Sequence, residues 1–169
     1  NLKKLRGSYG TYTRLFLNKL FPEIDRLILI DSDTLVLHDL DDLWEQELNN
    51  NVIGAVQDFV VQLSYSDHED WTILNRCSKY YNMGVVLVDL KQWRLHRCDD
   101  LIATAISSYK SEFKIADQSI LNLTLNHLIT EVDYKWNYQT YLHRDVSNLY
   151  KNLMEGKKYN LIDRKLDSP

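Results

Sequence analysis

Short apolar runs alternate with amphipathic and polar stretches along the chain. Residues 27–30, Leu-Ile-Leu-Ile, form one such run. Its apolar character and brevity favour a buried strand. The pattern recurs further along, so the sequence predicts strands at 27–31, 52–56, 84–89 and 129–132.

Apolar residues at helical spacing predict amphipathic helices between these strands. In the first helix, Ser8 is placed to cap the start and Pro22 follows the end. Its inner face would consist of Tyr9, Tyr12, Phe16 and Leu20.

Several later segments have helical patterns. A helix that opens at Asp99 or Asp100 has a predicted inner face of Leu101, Ile102, Ala105, Ile106 and Tyr109. Others are predicted at 39–46, 116–127 and, after a capping Asp145, at 145–153. Residues 59–79 are polar and irregular, as in a long surface loop.

Strands that alternate with helices indicate an α/β fold with a mixed, mostly parallel sheet flanked by helices. The chain has only 2 prolines and 5 glycines, so no linker divides it. We therefore predict one domain over residues 1–169.

Composition narrows the possible functions. With 169 residues, 44% of them apolar, the chain can bury one core, and its net charge of -4 argues against nucleic-acid binding. Cys77 and Cys98 have no metal-binding spacing and form no disulfide framework, which favours a reducing compartment. No apolar run is long enough to span a bilayer.

Asp31 and Asp33 lie at the carboxyl end of the first predicted strand. In open α/β sheets, ligands bind at the carboxyl ends of the strands. Paired carboxylates suit a hard divalent cation that also binds phosphate groups. If the strand continues, both carboxylates share a face and Ser32 points away. If it ends there, one carboxylate binds metal while the other meets a ribose hydroxyl or water, or both simply cap the turn.

Three other polar positions have both functional and structural interpretations. Arg14 lies near the apolar face of the first helix and needs a phosphate, a sugar hydroxyl or a carboxylate, unless it reaches solvent. Asn82 precedes Gly84 and is either a sugar ligand or a turn residue. Asp117 is either a ligand or a helix cap.

Several segments of the chain resemble glycosyltransferase family 8 over residues 8–138. They occur in that family's order and at about its spacing. They are Gly10-Thr-Tyr-Thr-Arg-Leu, Arg26-Leu-Ile-Leu-Ile-Asp-Ser-Asp-Thr-Leu-Val, Asp42-Leu-Trp-Glu, residues 81–94, Ala116-Asp-Gln-Ser-Ile-Leu-Asn and Trp136-Asn-Tyr. The resemblance implies a GT-A fold and a retaining transferase that moves galactose or glucose from a UDP-sugar with Mn²⁺ or Mg²⁺. It also implies front-face attack without a covalent intermediate.

The resemblance also implies residue roles. Asp31 and Asp33 match the metal-binding carboxylates, and Asp58 falls where relatives bind the acceptor. Asp117 and Gln118 match the catalytic pair beside the anomeric carbon. Donor-binding positions are Arg14, Asp31, Ser32, Asn82 and Asp117.

The same resemblance guides expectations about partners and location. The acceptor would be a glycan or lipid-linked saccharide, as in lipopolysaccharide biosynthesis. Asn122-Leu-Thr fits a glycosylation signal but lies in a helix predicted to pack. We therefore favour the bacterial cytoplasm, with possible peripheral contact at the inner membrane, over the Golgi lumen.

The chain departs from the family at both ends. It lacks the N-terminal strand that binds the nucleotide and the C-terminal segment that supplies a histidine and a lysine, so we expect a fragment with weak or no activity alone. A second interpretation is a haloacid-dehalogenase-type phosphatase, with Asp31 as nucleophile and Asp33 as general acid. A third is a carbohydrate-binding relative without catalysis.

Overall fold

The computed structural model describes residues 9–58, 61, 77, 79–108 and 116–139. They contain a four-stranded sheet with helices packed against it. The strands are Arg26–Ile30 (β1), Ile53–Gln57 (β2), Tyr81–Asp89 (β3) and Ile129–Glu131 (β4). The α-helices are Leu17–Leu20 (α1), Asp41–Trp44 (α2), Leu90–Leu95 (α3), Cys98–Ser108 (α4) and Ala116–Leu125 (α5). Short 3₁₀ helices cover Gly10–Phe16, Asn126–Leu128 and Tyr134–Asn137.

The direction of β3 determines which segments meet. The strand order is β1-β3-β2-β4; β3 is antiparallel to β1 and β2, while β4 is parallel to β2. The sheet is therefore mixed, as predicted, with β3 opposing the other strands. Because β3 is antiparallel, its first residues lie beside the ends of β1 and β2, with Ile30 opposite Val85 and Gln57 opposite Tyr81.

β1 differs from the buried strand that was predicted. All its residues are half-buried, whereas β2 is buried throughout. The reason is position: in the described sheet β1 pairs only with β3, whereas β2 lies between β3 and β4.

The inner face of the first helical segment was predicted correctly only at Tyr12. Its buried residues are Tyr12, Leu15 and Leu17, while Tyr9, Phe16 and Leu20 are exposed. Residues 10–16 form a 3₁₀ helix, whose three residues per turn bring positions 12 and 15 to one side. The predicted cap, Ser8, lies outside the described residues.

The two faces of the sheet bury separate clusters. One face packs against α3, α4 and α5 and includes Leu15, Met83, Trp93, Ile102 and Ile120. The other includes Leu43, Leu48, Val56, Leu87 and Val132. The pattern predicted Ile102 and Ala105 correctly, but Leu101 is exposed. Tyr109 and residues 145–153 lie outside the described part.

Helix α3 was not predicted, although the sequence contains its cap. The Asp89 carboxylate accepts from the backbone N–H of Gln92 at 2.7 Å, which satisfies one of the unpaired donors at the start of the helix.

Both cysteines are buried thiols, and burial raises the pKa of Cys77 to about 11 and of Cys98 to about 12. These thiols stay protonated near neutral pH.

Asp99 joins three helical segments and generates a stability prediction. Its carboxylate accepts from Trp93 Nε1 at 2.9 Å and from Asn18 Nδ2 at 3.0 Å. Asp99→Ala should lower the free energy of unfolding by about 1–3 kcal/mol, because the fully buried indole N–H loses its acceptor. Denaturant unfolding of the intact protein measures this change. Asp100→Ala is the control, since Asp100 shares the first turn but its carboxylate pairs with the exposed Arg97. Equal losses in the two variants would contradict the prediction.

Candidate active site

A bulge between β2 and β3 lies at the centre of the site. The register shifts so that Ala55 faces Val86 while Val56 faces Asn82. Met83 and Gly84 therefore lie in a stretch of β3 that has no regular partner on β2. Bulges of this kind redirect side chains and often occur beside active sites.

Side chains and the backbone of Asp31 supply hydrogen bonds to Met83 and Gly84 in this stretch. The N–H of Met83 donates to Gln118 Oε1 at 3.1 Å, and its carbonyl accepts from Arg14 Nη1. The N–H of Gly84 donates to Asn82 Oδ1 at 2.8 Å, and its carbonyl accepts from the N–H of Asp31 at 2.7 Å. These two peptide units thus connect most of the predicted site residues.

Arg14 bridges two of the predicted carboxylates. Its Nη2 lies 2.5 Å from Asp31 Oδ1, and its Nε lies 2.7 Å from Asp117 Oδ2. Only 13% of the Arg14 side chain and 8% of the Asp117 side chain are exposed. The partner that the sequence required for Arg14 is therefore a pair of protein carboxylates.

Thr11 completes the surroundings of Asp117. Its hydroxyl donates to Asp117 Oδ1, so both oxygens of Asp117 are engaged by the protein. Thr11 precedes Arg14 by one 3₁₀ turn, which places both on the same side of that helix. Burial, with the nearby charge of Asp117, raises the pKa of the adjacent Tyr12 phenol. Sequence reasoning did not assign Thr11 a role.

Asp58 organises a second set of polar groups. It is 3% exposed, and its Oδ2 accepts from Asn82 Nδ2 and from Gln118 Nε2, each at 3.0 Å. Its Oδ1 accepts from the N–H of Val61 at 3.0 Å. All these bonds use Asp58 as an acceptor, which is the role a carboxylate fills. The residue predicted to bind the acceptor therefore contacts the predicted donor-sugar and catalytic amides.

Asn137 is a second residue that sequence reasoning did not assign. Its Nδ2 donates to Asn82 Oδ1 at 2.8 Å. A Cβ added at Gly84 would lie 2.9 Å from Asn82 Oδ1, 3.4 Å from Asp31 Oδ2 and 3.7 Å from Asn137 Nδ2. The absence of a side chain at Gly84 therefore keeps open a small polar gap between Asp31, Asn82 and Asn137.

The Asp31–Asp33 segment is a turn, so strand alternation does not govern it. β1 ends at Ile30, and the N–H of Thr34 donates to the Asp31 carbonyl at 3.1 Å. Asp31 points toward Arg14, whereas Ser32 and Asp33 are exposed. The structure thus brings Arg14, Asp31 and Asp117 into direct contact and leaves Ser32 and Asp33 on the surface of the turn.

These carboxylates fit part of a cation site. Among the described residues, no group of three or more His, Cys, Asp or Glu side chains could hold a metal ion. Oδ2 of Asp31 faces the gap at Gly84, and carboxylate oxygens suit a hard cation that takes its remaining ligands from phosphate and water. Asp31 could thus supply one ligand to such a cation, and Asp33 stays a predicted ligand.

Helix α5 is held against β3 by Asn122. This residue is fully buried; its Oδ1 accepts from the N–H of Tyr81 at 2.7 Å, and its Nδ2 donates to the Tyr81 carbonyl at 2.8 Å. The prediction that the apparent glycosylation signal lies in a packed helix is confirmed. The same bonds fix the start of α5, and with it Asp117 and Gln118, beside the bulge.

Comparison with known proteins identifies the family. The model of Glycosyl transferase family 8 matches residues 2–164. The chain belongs to this family. That membership sets aside the phosphatase interpretation and agrees with the resemblance seen in the motifs.

Individual relatives support the same assignment. General stress protein A of Bacillus subtilis is 30% identical over 141 residues, which cover 81% of this chain and 47% of that protein. Lipopolysaccharide 1,2-glucosyltransferase of Escherichia coli is 28% identical over 133 residues, covering 77% of this chain and 38% of that protein. The chain thus spans half or less of the length of these relatives.

Solved structures support the fold. An active-site mutant of LgtC superposes with a TM-score of 0.74 at 26% identity, over 88% of this chain and 52% of that one. The chain therefore has the GT-A architecture, with its mixed sheet and flanking helices.

Within the described residues, no helix combines the length and apolar character needed to cross a membrane.

The Arg14 bridge generates a second stability prediction. Arg14→Gln should lower the free energy of unfolding by about 2 kcal/mol, because Asp31 and Asp117 lose their shared cation. The loss is smaller than for a fully buried pair, since Asp31 is 39% exposed and partly screened by solvent. Arg14→Lys should lose less, because the charge remains although the fork of donors is lost.

Denaturant unfolding of the intact protein provides the measurement. Arg97→Gln serves as the control, because the Arg97–Asp100 pair is 80% and 63% exposed and should contribute about 0.5 kcal/mol or less. If Arg14→Gln is no more destabilising than Arg97→Gln, the bridge does not hold the site together.

Proposed function

We propose that the intact protein is a retaining hexosyltransferase that moves galactose or glucose from a UDP-sugar to a hydroxyl acceptor. Asp117, Asn82 and Gln118 would bind the donor sugar, and Arg14 and Asp31 would lie toward its phosphates. The observation that carries this proposal is the convergence of these residues on one bulge in a chain of this family. Ser32 and Asp33 stay predicted donor and metal contacts.

The hydrogen bonds favour front-face attack over a covalent intermediate. Both oxygens of Asp117 are engaged by Thr11 and Arg14, and the Gln118 amide is bound at both ends by Met83 and Asp58. Pairing with a cation and a hydroxyl makes Asp117 a weaker nucleophile, and the amide of Gln118 is a poor nucleophile in any case. They suit positioning and charge stabilisation better.

In the proposed reaction, the acceptor hydroxyl attacks the anomeric carbon from the face that the diphosphate leaves. The new C–O bond forms as the bond between C1 and the phosphate oxygen breaks, and the hydroxyl proton passes to the departing phosphate oxygen. Asp31 and Asp33 would hold Mn²⁺ or Mg²⁺. When bound, such a cation neutralises charge on the leaving diphosphate.

The contacts of Asp58 and the name of one relative bear on how the acceptor binds. We propose that Asp58 shapes this side through Gln118 and Asn82, because its Oδ2 accepts from the amides of both. One relative is named a lipopolysaccharide glucosyltransferase, which supports a glycan or lipid-linked saccharide as the acceptor.

A bacterial cytoplasmic site of action, with peripheral membrane contact, remains part of this proposal.

Turnover of UDP-sugars by the intact protein tests the proposed function. We expect UDP release from UDP-galactose or UDP-glucose that stops on chelation of divalent cations, and NMR of the product should show retained anomeric configuration. Asp117→Asn should reduce turnover by about 100-fold. The neutral amide would pair more weakly with Arg14, next to the atoms on which charge develops in the transition state. Asp100→Asn, an exposed acid outside the site, is the matched control.

Two outcomes would contradict this proposal. If the intact protein binds UDP equally well with and without Mn²⁺ and turns over no donor, it is a non-catalytic relative. If it neither binds nor turns over a UDP-hexose, the proposed substrate class is wrong.

Gly84 offers a test of the gap. In Gly84→Ala, the new Cβ would lie 2.9 Å from Asn82 Oδ1, which would have to move, and it would crowd Asp31. Donor affinity should therefore fall about tenfold, as expected for loss of one polar contact. Calorimetry with a UDP-hexose measures the change. Gly54→Ala is the matched control, because its Cβ would meet Leu48 and Val132 in the core. It should lower stability and leave donor affinity unchanged; the opposite pattern would contradict the assignment of the gap.

A further inference from the structure

Asn137 approaches the site from a separate part of the fold. It ends the 3₁₀ helix Tyr134–Asn137, whose N-cap Asp133 accepts from the N–H of Lys135 at 3.0 Å. Tyr134 and Trp136 of this helix pack against the buried cluster on one face of the sheet. This packing fixes where the half-buried Asn137 side chain meets β3.

The contacts of Asn82 define which way its amide faces. Its Oδ1 accepts from Asn137 Nδ2 and from the N–H of Gly84, both at 2.8 Å. Its Nδ2 donates to Asp58 Oδ2 at 3.0 Å. A flipped amide would place its NH₂ group against two donors and its oxygen against a carboxylate, so only the observed orientation satisfies all three partners.

The two donors to Asn82 Oδ1 differ in what they restrain. Gly84 follows Asn82 by two residues and belongs to the same bulge, so it moves with Asn82. Asn137 is 55 residues away in the chain and ties the amide to the segment after β4. Of the two donors to Oδ1, Asn137 is the one that ties this end of the amide to a segment outside the bulge, while Asp58 holds the other end through Nδ2.

We propose that Asn137 is a positioning residue that holds the Asn82 amide in the orientation needed to bind the donor sugar. This inference rests on the proposed function, in which Asn82 contacts the hexose. Asn137 acts through Asn82, so its effect is confined to the sugar part of the donor. Affinity for the nucleotide alone should not depend on it.

Calorimetry on the intact protein with Mn²⁺, using UDP and a UDP-hexose in parallel, tests the inference. Asn137→Ala should weaken UDP-hexose binding about five- to tenfold, the range for loss of one hydrogen bond, and leave UDP binding unchanged. Asn137→Asp is close to isosteric but cannot donate, so its loss should be at least as large. It keeps the test decisive if the alanine variant folds poorly.

A matched control comes from Asn51, a half-buried asparagine whose Nδ2 donates to Thr130 Oγ1 at 2.9 Å away from the site. Asn51→Ala should change neither affinity. Equal weakening of UDP and UDP-hexose by the Asn137 variants, or no weakening of either, would overturn the inference while the parent's binding upholds the proposed function. If the parent binds no UDP-hexose, the proposed function fails and the inference fails with it.

Discussion

The peptide groups of Met83 need hydrogen-bond partners that β2 does not provide, and this need organises the site. Leaving a buried peptide group unpaired costs about 1–3 kcal/mol, and Met83 is fully buried. Gln118 and Arg14 provide these partners. Asn82 and the backbone of Asp31 bond the next residue, Gly84. The residues proposed to bind the donor therefore also complete the sheet, which restricts them to one arrangement before any ligand arrives.

Charge is organised around the same bulge. One guanidinium serves two carboxylates, Asp31 and Asp117, that come from the end of a strand and the start of a helix. These acids would repel each other without Arg14, and with it they frame the space where a sugar phosphate would bind. Asp58 gathers the neutral amides of Asn82 and Gln118 on the other side of the bulge. The site thus has a charged half and an amide half that meet at Met83 and Gly84.

The sequence predicted much of this because local patterns carry it. Apolar runs located the strands. The segments around Asp31, Asn82 and Asp117 could be recognised as candidate binding sites, because polar side chains there lie next to strand ends or a helix start. Periodicity does not encode strand direction, so the antiparallel course of β3, which brings these segments together, could not be predicted. The 3₁₀ geometry that buries Leu15 and exposes Phe16 also depends on tertiary packing. Thr11 and Asn137 were missed because their partners, Asp117 and Asn82, are distant in the chain.

A crystal structure of the intact protein with Mn²⁺ and a non-transferable UDP-hexose analogue would test the central claim most directly. The account predicts that the hexose contacts Asp117, Asn82 and Gln118, that its phosphates lie toward Asp31, and that Arg14 still joins the two acids. A donor bound elsewhere, or a complex in which Arg14 no longer lies between Asp31 and Asp117, would contradict it.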